Sequence, residues 1–230
     1  MAKETKRSKA NSEHVDSNKQ YGLQEACEVV VKAGTAKFDE SVDVAIRLGV
    51  DPKKADQNIR GSVALPHGLG KEVRIAVFAK GDKAEEAKSA GADLVGSDDL
   101  VKDVQAGKIE FDVVVATPDM MASIGKIGKV LGPRGLMPSP KVGTVTNDVA
   151  EIVKTIKSGL AEYKVDKDGT VHASIGKVSM GAKSLQENTE ALLAAINKAK
   201  PQSSKGVYLM SAAISSTMGP GVAVNAAELR

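Results

Sequence analysis

Four groups of residues have types and spacings that could support chemistry. The first is Ser211-Ala-Ala-Ile-Ser-Ser-Thr-Met-Gly-Pro-Gly-Val222, a β-type run broken by Thr217-Met218-Gly219-Pro220-Gly221. Gly and Pro in alternation force a sharp turn and let a partner come close to the backbone. Either Met218 folds back into the core, or Thr217 and Met218 present a hydroxyl and a soft apolar group at a sheet edge. The second is a Gly-rich basic stretch, Gly125 to Pro138, carrying Lys126, Lys129 and Arg134. It reads as a long surface loop or as a phosphate cradle of backbone amides and cations. The third is the histidines, His14, His67 and His172, in a tail, a Gly-rich break and a strand, with neither metal spacing nor a local acid–base pair. The fourth is Cys27, whose place on an apolar helical stripe makes it a packed hydrophobe, not a nucleophile. No G-x-x-x-x-G-K-[ST], G-x-G-x-x-G or G-x-S-x-G occurs, which leaves the Gly125–Gly135 segment as the one candidate for a nucleotide-binding enzyme or switch.

Composition narrows the classes further. A chain of 230 residues, 42% hydrophobic and 27% charged, is expected to form one or two globular domains with a sizeable core. Aromatics are only 3% and Trp is absent, so a base-stacking platform is not expected. One cysteine rules out an internal disulfide and a Cys-based zinc cluster, and fits a reducing cytosol. The densest apolar run, Val113-Val114-Val115-Ala116, is strand-sized and too short for a membrane span. Residues 1–19 read as a basic, Ser/Asn-rich disordered leader with no secretory signal. Residues 68–159 carry 13 Lys+Arg and 13 Asp+Glu, so the whole +3 lies in the flanks, which are the expected electrostatic footprint.

These residues need elements to hold them. Tyr21–Ala33 reads as a helix burying Leu23, Ala26, Cys27, Val30 and Val31, ended by Gly34. Val42, Val44, Ile46, Leu48 and Val50 alternate with Ser41, Asp43, Ala45, Arg47 and Gly49 as a half-buried strand. Asn58–Leu65 follows as a strand at a distance suited to irregular antiparallel pairing with it. From Lys71 strands alternate with helices: Val73–Ala79, Asp82–Ala90, Ala92–Val95, a Ser97-capped helix to Gln105, Phe111–Ala116, Pro118 at a position that suits a helix start, and a helix with Val149, Ile152, Val153 and Ile156 in one stripe. That order implies a mostly parallel sheet with helices on both faces. After Gly159, Asp166-Lys167-Asp168-Gly169 marks a hairpin between Tyr163–Val165 and Thr170–Val178. Ser184-Leu-Gln-Glu187 is a capping box opening a helix, and Gly206–Ser216 is the final strand. Neither flank holds enough strands alone. The expected organisation is a discontinuous α+β domain, residues 20–67 plus 160–230, with an α/β domain of residues 68–159 inserted on a double hinge at Gly68, Gly70 and Gly159.

Several long motifs are similar to those of the bacterial ribosomal protein L-one family. They are Lys37-Phe38-Asp39-Glu40, Asp56-Gln-Asn-Ile-Arg-Gly61 with Leu65-Pro-His-Gly68, Leu131-Gly-Pro-Arg-Gly-Leu-Met-Pro138 with Pro140-Lys-Val-Gly-Thr144, and Ser216-Thr-Met-Gly-Pro-Gly221. The resemblance runs in order from Tyr21 to Val224. It implies an RNA-binding α+β domain of split β-α-β type with an antiparallel sheet, and an inserted three-layer, Rossmann-like α/β domain. It implies a large-ribosomal-subunit protein that is not an enzyme, needs no cofactor or metal, works in the cytoplasm away from membranes and is a monomer when free. The implied partners are the large-subunit rRNA stalk, exit-site tRNA whose release is assisted, and the protein's own operon mRNA, whose translation is repressed. Family contact positions carried onto matching residues are Lys37, Phe38, Ser41, Ser211, Thr217, Met218 and Gly219. Strand alternation adds His172, Ser174 and Lys177.

Overall fold

The strand Ser41–Leu48 (β1) shows the predicted alternation: Val42, Val44, Ile46 and Leu48 are buried, while Asp43 and Arg47 face solvent. Its β-branched and Leu side chains fill one face of a pleat and leave the other to small and charged residues. The computed structural model describes residue 11 and residues 15–16, 19–204 and 206–228, divided into two compact units. Residues up to Gly70 and from Ala161 onward form unit 1, and Lys71–Leu160 forms unit 2. The two sheets, one built of antiparallel pairs and one parallel, make the fold mixed α/β.

Unit 1 is a six-stranded sheet. In chain order its strands are β1, β2 (Arg60–Ala64), β6 (Leu160–Val165), β7 (Thr170–Lys177), β8 (Leu209–Ser216) and β9 (Gly221–Val224). Their spatial order is β2-β6-β7-β1-β8-β9. β1 therefore lies between β7 and β8, antiparallel to both. Helices α1 (Leu23–Ala33) and α6 (Ala182–Lys198) pack together, and Ala26, Cys27 and Val30 meet Leu185, Leu192 and Ile196 over the buried sheet face. Burial, and secondarily Glu190, raises the Cys27 thiol to about 11, so it stays a neutral core group.

Several expectations need correcting. β2 does not pair with β1; the β6–β7 hairpin lies between them, β6 beside β2 and β7 antiparallel to β1. The strand ending at Ser216 is not the last, since Gly221–Val224 folds back on it in register Ser215↔Gly221 to Ala212↔Val224. Helix α6 opens at Ala182 behind Gly181, φ +81°, and Ser184 lies inside its first turn instead of capping it. Most of the expected leader lies outside the described residues, but Val15 is buried in the unit 1 core and the Asp16 amide donates to the Tyr21 hydroxyl at 2.9 Å. His14 also lies outside them.

Unit 2 has three parallel strands, β3 (Ile75–Phe78), β4 (Leu94–Gly96) and β5 (Val113–Ala116), in the order β4-β3-β5. All four residues of β3 are buried, as expected for a central parallel strand covered on both faces. Helices α2 (Asp82–Ser89) and α5 (Val149–Gly159) share a core with Ile75, Val77 and Val115. Helices α3 (Asp98–Gln105) and α4 (Met121–Leu131) share another with Ala76, Phe78 and Val114 on the opposite face. Ser97 precedes α3 but its side chain makes no capping bond. The Gly125–Gly135 segment is not a loop over its first half: α4 runs through Gly125 and Gly128 because Ile124, Ile127 and Leu131 anchor one helical face in the core.

Candidate nucleic-acid interface

One end of the exposed face of the six-stranded sheet gathers most of the expected contact residues. Directly opposed residues on antiparallel strands share a face. Register places Ser41 opposite Lys177 on one side, and Thr217 continues β8 beside it on the other. Lys177 reaches this face only through a bulge. Strict alternation would align Gly176 with His172 and Ser174, but the register slips between Val42 and Asp43, where Gly176 adopts φ +151°. That φ favours glycine, and a Cβ at Gly176 would lie 2.8 Å from the Met180 sulfur and oblige that side chain to move.

Glu40, only 2% exposed, ties the two chain segments into one rigid corner. Its Oε2 accepts from the Ser216 hydroxyl at 2.7 Å and the Met218 amide at 2.9 Å, and its Oε1 accepts from the Ala36 amide at 3.0 Å. Its own carbonyl accepts from the Val178 amide. A buried carboxylate held by several donors fixes geometry that looser contacts would not. The Thr217 hydroxyl is also engaged within the protein, 3.1 Å from the Ser41 amide and 3.2 Å from the Ser41 carbonyl, so it locks the strand ends as well as facing outward. Gly219 leaves room for this corner, because a Cβ there would sit 2.4 Å from the Ser216 oxygen and push that hydroxyl from Glu40.

Phe38 and Met218, 55% and 48% exposed, stand at this end as apolar groups open to solvent, so neither is a core residue. Lys37 precedes Phe38 in the same segment and is exposed. Lys177 pairs with Asp39 at 3.6 Å. The Ser179 hydroxyl first, with the Ser179 amide and Lys177 adding to it, holds the Asp39 carboxyl below its ordinary value. What Asp39 contributes to this corner is thus present above the ordinary carboxylate range and is lost as pH falls through the lowered value.

The remaining expected residues lie further along the same face. Ser174 is opposite Asp43, with its hydroxyl 3.5 Å from the Val42 carbonyl, and His172 is opposite Ala45 and Lys164. Ser211 is opposite Arg47 at the far end of β8, roughly 20 Å from Thr217 at the rise of an extended strand. Between these ends the surface is lined by Ala45, Ala213, Ser215 and Ala223, short side chains that let a ligand backbone come close. Sequence reasoning singled out neither Glu40 nor the solvent-facing Asp43 and Arg47, nor Met210, 52% exposed at the register shift beside Ser211. The alternation of β1 already placed Asp43 and Arg47 on this face, whereas nothing local in the sequence links Glu40 to Ser216.

Of the expected hinge glycines, Gly68, Gly70 and Gly159 have φ of +68°, +65° and +112°. Gly68 is held within unit 1: the fully buried Asn188 accepts from the His67 amide at 3.1 Å and donates to the Gly68 carbonyl at 3.0 Å. Among the described residues no group of three His, Cys, Asp or Glu could hold a metal ion, and no helix is long and apolar enough to cross a membrane. A phosphate cradle at Gly125–Gly135 does not form, because the backbone there is largely spent in helix α4.

A sequence profile described as the ribosomal protein L1p/L10e family matches residues 29–220. The chain is 60% identical to the large ribosomal subunit protein uL1 of Bdellovibrio bacteriovorus, over 94% of this chain and 92% of that one. It is 56% identical to the uL1 protein of Haemophilus influenzae, strain KW20/Rd, over the full length of both. With the uL1 protein of Ralstonia pickettii it shares 57% identity over 100% of this chain and 99% of the other.

Proposed function

From the premise that the chain belongs to the ribosomal protein L1p/L10e family, we propose that it is a non-enzymatic structural component of the large ribosomal subunit that grips folded ribosomal RNA at the mobile stalk. The supporting observation is the corner at which Glu40 fixes Ser216, Met218 and the Ala36–Ser41 segment, with Phe38 and Met218 exposed beside Lys37 and Lys177. Shape and 2′-hydroxyl recognition suits it better than charge, since hydroxyls and short side chains dominate the face. Phe38 and Met218 form an apolar shelf against sugars or bases. Lys37 and Lys177 supply the salt-dependent term, with Ser41, Thr217 and Gly219 lining the corner and Ser174, His172 and Ser211 extending the contact.

The finer reading is that the stalk assists release of exit-site tRNA, and that the same corner binds a mimic in the operon message and represses translation. Its place is then the ribosome in the cytoplasm. Unit 1 is the RNA-gripping body and unit 2 the inserted one. The break in contacts after Gly70 and before Ala161 supports pivots at Gly70 and Gly159, with Gly68 moving as part of unit 1.

The test is the affinity of the purified chain for a stalk RNA fragment. Met218→Ala and Thr217→Val each weaken it by about 1–3 kcal/mol, the loss of a specific contact, while circular dichroism stays native. Unchanged affinity in both variants removes the reading.

A further inference from the structure

Helix α4 and the turn after it form a surface that the sheet-end site does not use. Helical spacing turns Ile124, Ile127 and Leu131 into the core and directs Ala122, Gly125, Lys126 and Lys129 outward. Gly132, Pro133, Arg134 and Gly135 continue this exposed surface. Two of its glycines are explained by the fold: a Cβ at Gly132 would lie 2.7 Å from the Gly128 carbonyl oxygen, and Gly135 has φ +74°. The other two are not. A Cβ at Gly125 meets nothing within 4 Å and one at Gly128 meets only Met137 at 3.9 Å, so alanine fits at both and would make the better helix. Something other than folding leaves this outer face bare.

Charge indicates what approaches it. No Asp or Glu occurs between Asp119 and Asp148, while Lys126, Lys129, Arg134 and Lys141 fall inside that span. Lys126, Lys129 and Arg134 are exposed and none forms an ion pair among the described residues. Asp98 feels Lys126, but its direct partners are Ser123 and Lys80. On a unit with equal numbers of acids and bases, this segregates positive charge onto one bare helix face.

We infer that the outer face of α4 with the Gly132–Gly135 turn is a second RNA-docking surface, which takes the phosphate backbone of a helical RNA segment against Gly125 and Gly128 between Lys126, Lys129 and Arg134. The glycines let a phosphate ridge come close to the helix, and the cations flank it without reading sequence. The inference does not rest on the sheet-end site.

The experiment measures binding of the full chain to two labelled RNAs, the stalk fragment and a short duplex of unrelated sequence, by fluorescence anisotropy between about 50 and 200 mM salt. Combining Lys126→Gln, Lys129→Gln and Arg134→Gln lowers duplex affinity about tenfold or more at low salt and flattens its salt dependence by about two to three counterions, leaving stalk affinity nearly intact. The combination Lys83→Gln, Lys88→Gln and Lys154→Gln removes the same charge from the helices on the other face of the sheet and leaves duplex binding unchanged. Gly125→Ala with Gly128→Ala raises the melting temperature of unit 2 while weakening duplex binding, a pairing that a merely structural role would not give. An unaltered duplex affinity in the first variant, an equal loss in the second, or no duplex binding by the unsubstituted chain overturns the assignment. Loss of the stalk interaction on Met218→Ala is read independently, so failure of one site does not mask failure of the other.

Discussion

Unit 1 lays α1 and α6 on one face of its sheet and, among the described residues, leaves the other without a helix, whereas unit 2 covers β3, β4 and β5 with helices on both sides. The difference is written in the strands. β1 alternates buried and open positions along its length, while β3 is buried at all four. A sheet closed on both faces offers a ligand no open face, so whatever unit 2 binds meets strand ends, helix backs and turns. A sheet open on one face, lined with Ser, Ala and Gly, offers a broad ledge onto which a polymer backbone can settle. The two proposed surfaces differ accordingly, shape against a fixed corner in unit 1 and charge along a helix in unit 2.

The largest test of this contrast is Glu40→Ala. It strands the Ser216 hydroxyl and the Met218 and Ala36 amides, and the corner should lose about 3 kcal/mol or more. Urea unfolding followed by a probe in unit 1 measures that loss. Stalk RNA affinity should drop more than tenfold under conditions where the variant stays folded, and an unaltered pair of values would mean that the carboxylate is not the clamp. Next comes Gly219→Ala, whose methyl must displace the Ser216 hydroxyl from its carboxylate. We expect RNA binding to weaken by about 1–2 kcal/mol with unit 2 unfolding as before, which differential scanning calorimetry resolves.

These first two predictions depend on features of unequal legibility. The alternation of β1, the stripe of α1 and the 166–169 hairpin were plain in the sequence because a period of two or 3.6 and a Gly-closed turn are local signals. The basic Gly-rich segment reads as a loop because glycine lowers helix propensity, yet Ile124, Ile127 and Leu131 give enough burial to hold a helix through it. Lys177 reached the right face for a reason no alternation contains, the bulge at Gly176. Glu40 was invisible as a site residue, since its partners Ser216 and Met218 become neighbours only through the pairing of β1 with β8.

A smaller effect sharpens the contrast within unit 1. Ser211→Ala, at the Arg47 end of the ledge, should cost the stalk complex only about 0.5–1 kcal/mol, less than Met218→Ala. Equal costs in titrations of both variants would extend the tight contact along the whole sheet. The smallest concerns the covered face: Cys27, with its thiol raised to about 11, should resist iodoacetamide at about pH 8 in the native chain and react once denatured. Fast native labelling would show that the α1–sheet packing opens readily.

The placement of β1 between β7 and β8 also sets a schedule for synthesis. Ser41 and Thr217, bonded to each other, are 176 residues apart, so a ribosome must finish nearly the whole chain before the corner can close. An incomplete or prematurely terminated product lacks the Ser41–Thr217 closure and, on the proposed reading, the RNA grip. If the chain governs its own message, the quantity sensed is finished copies and not translation in progress.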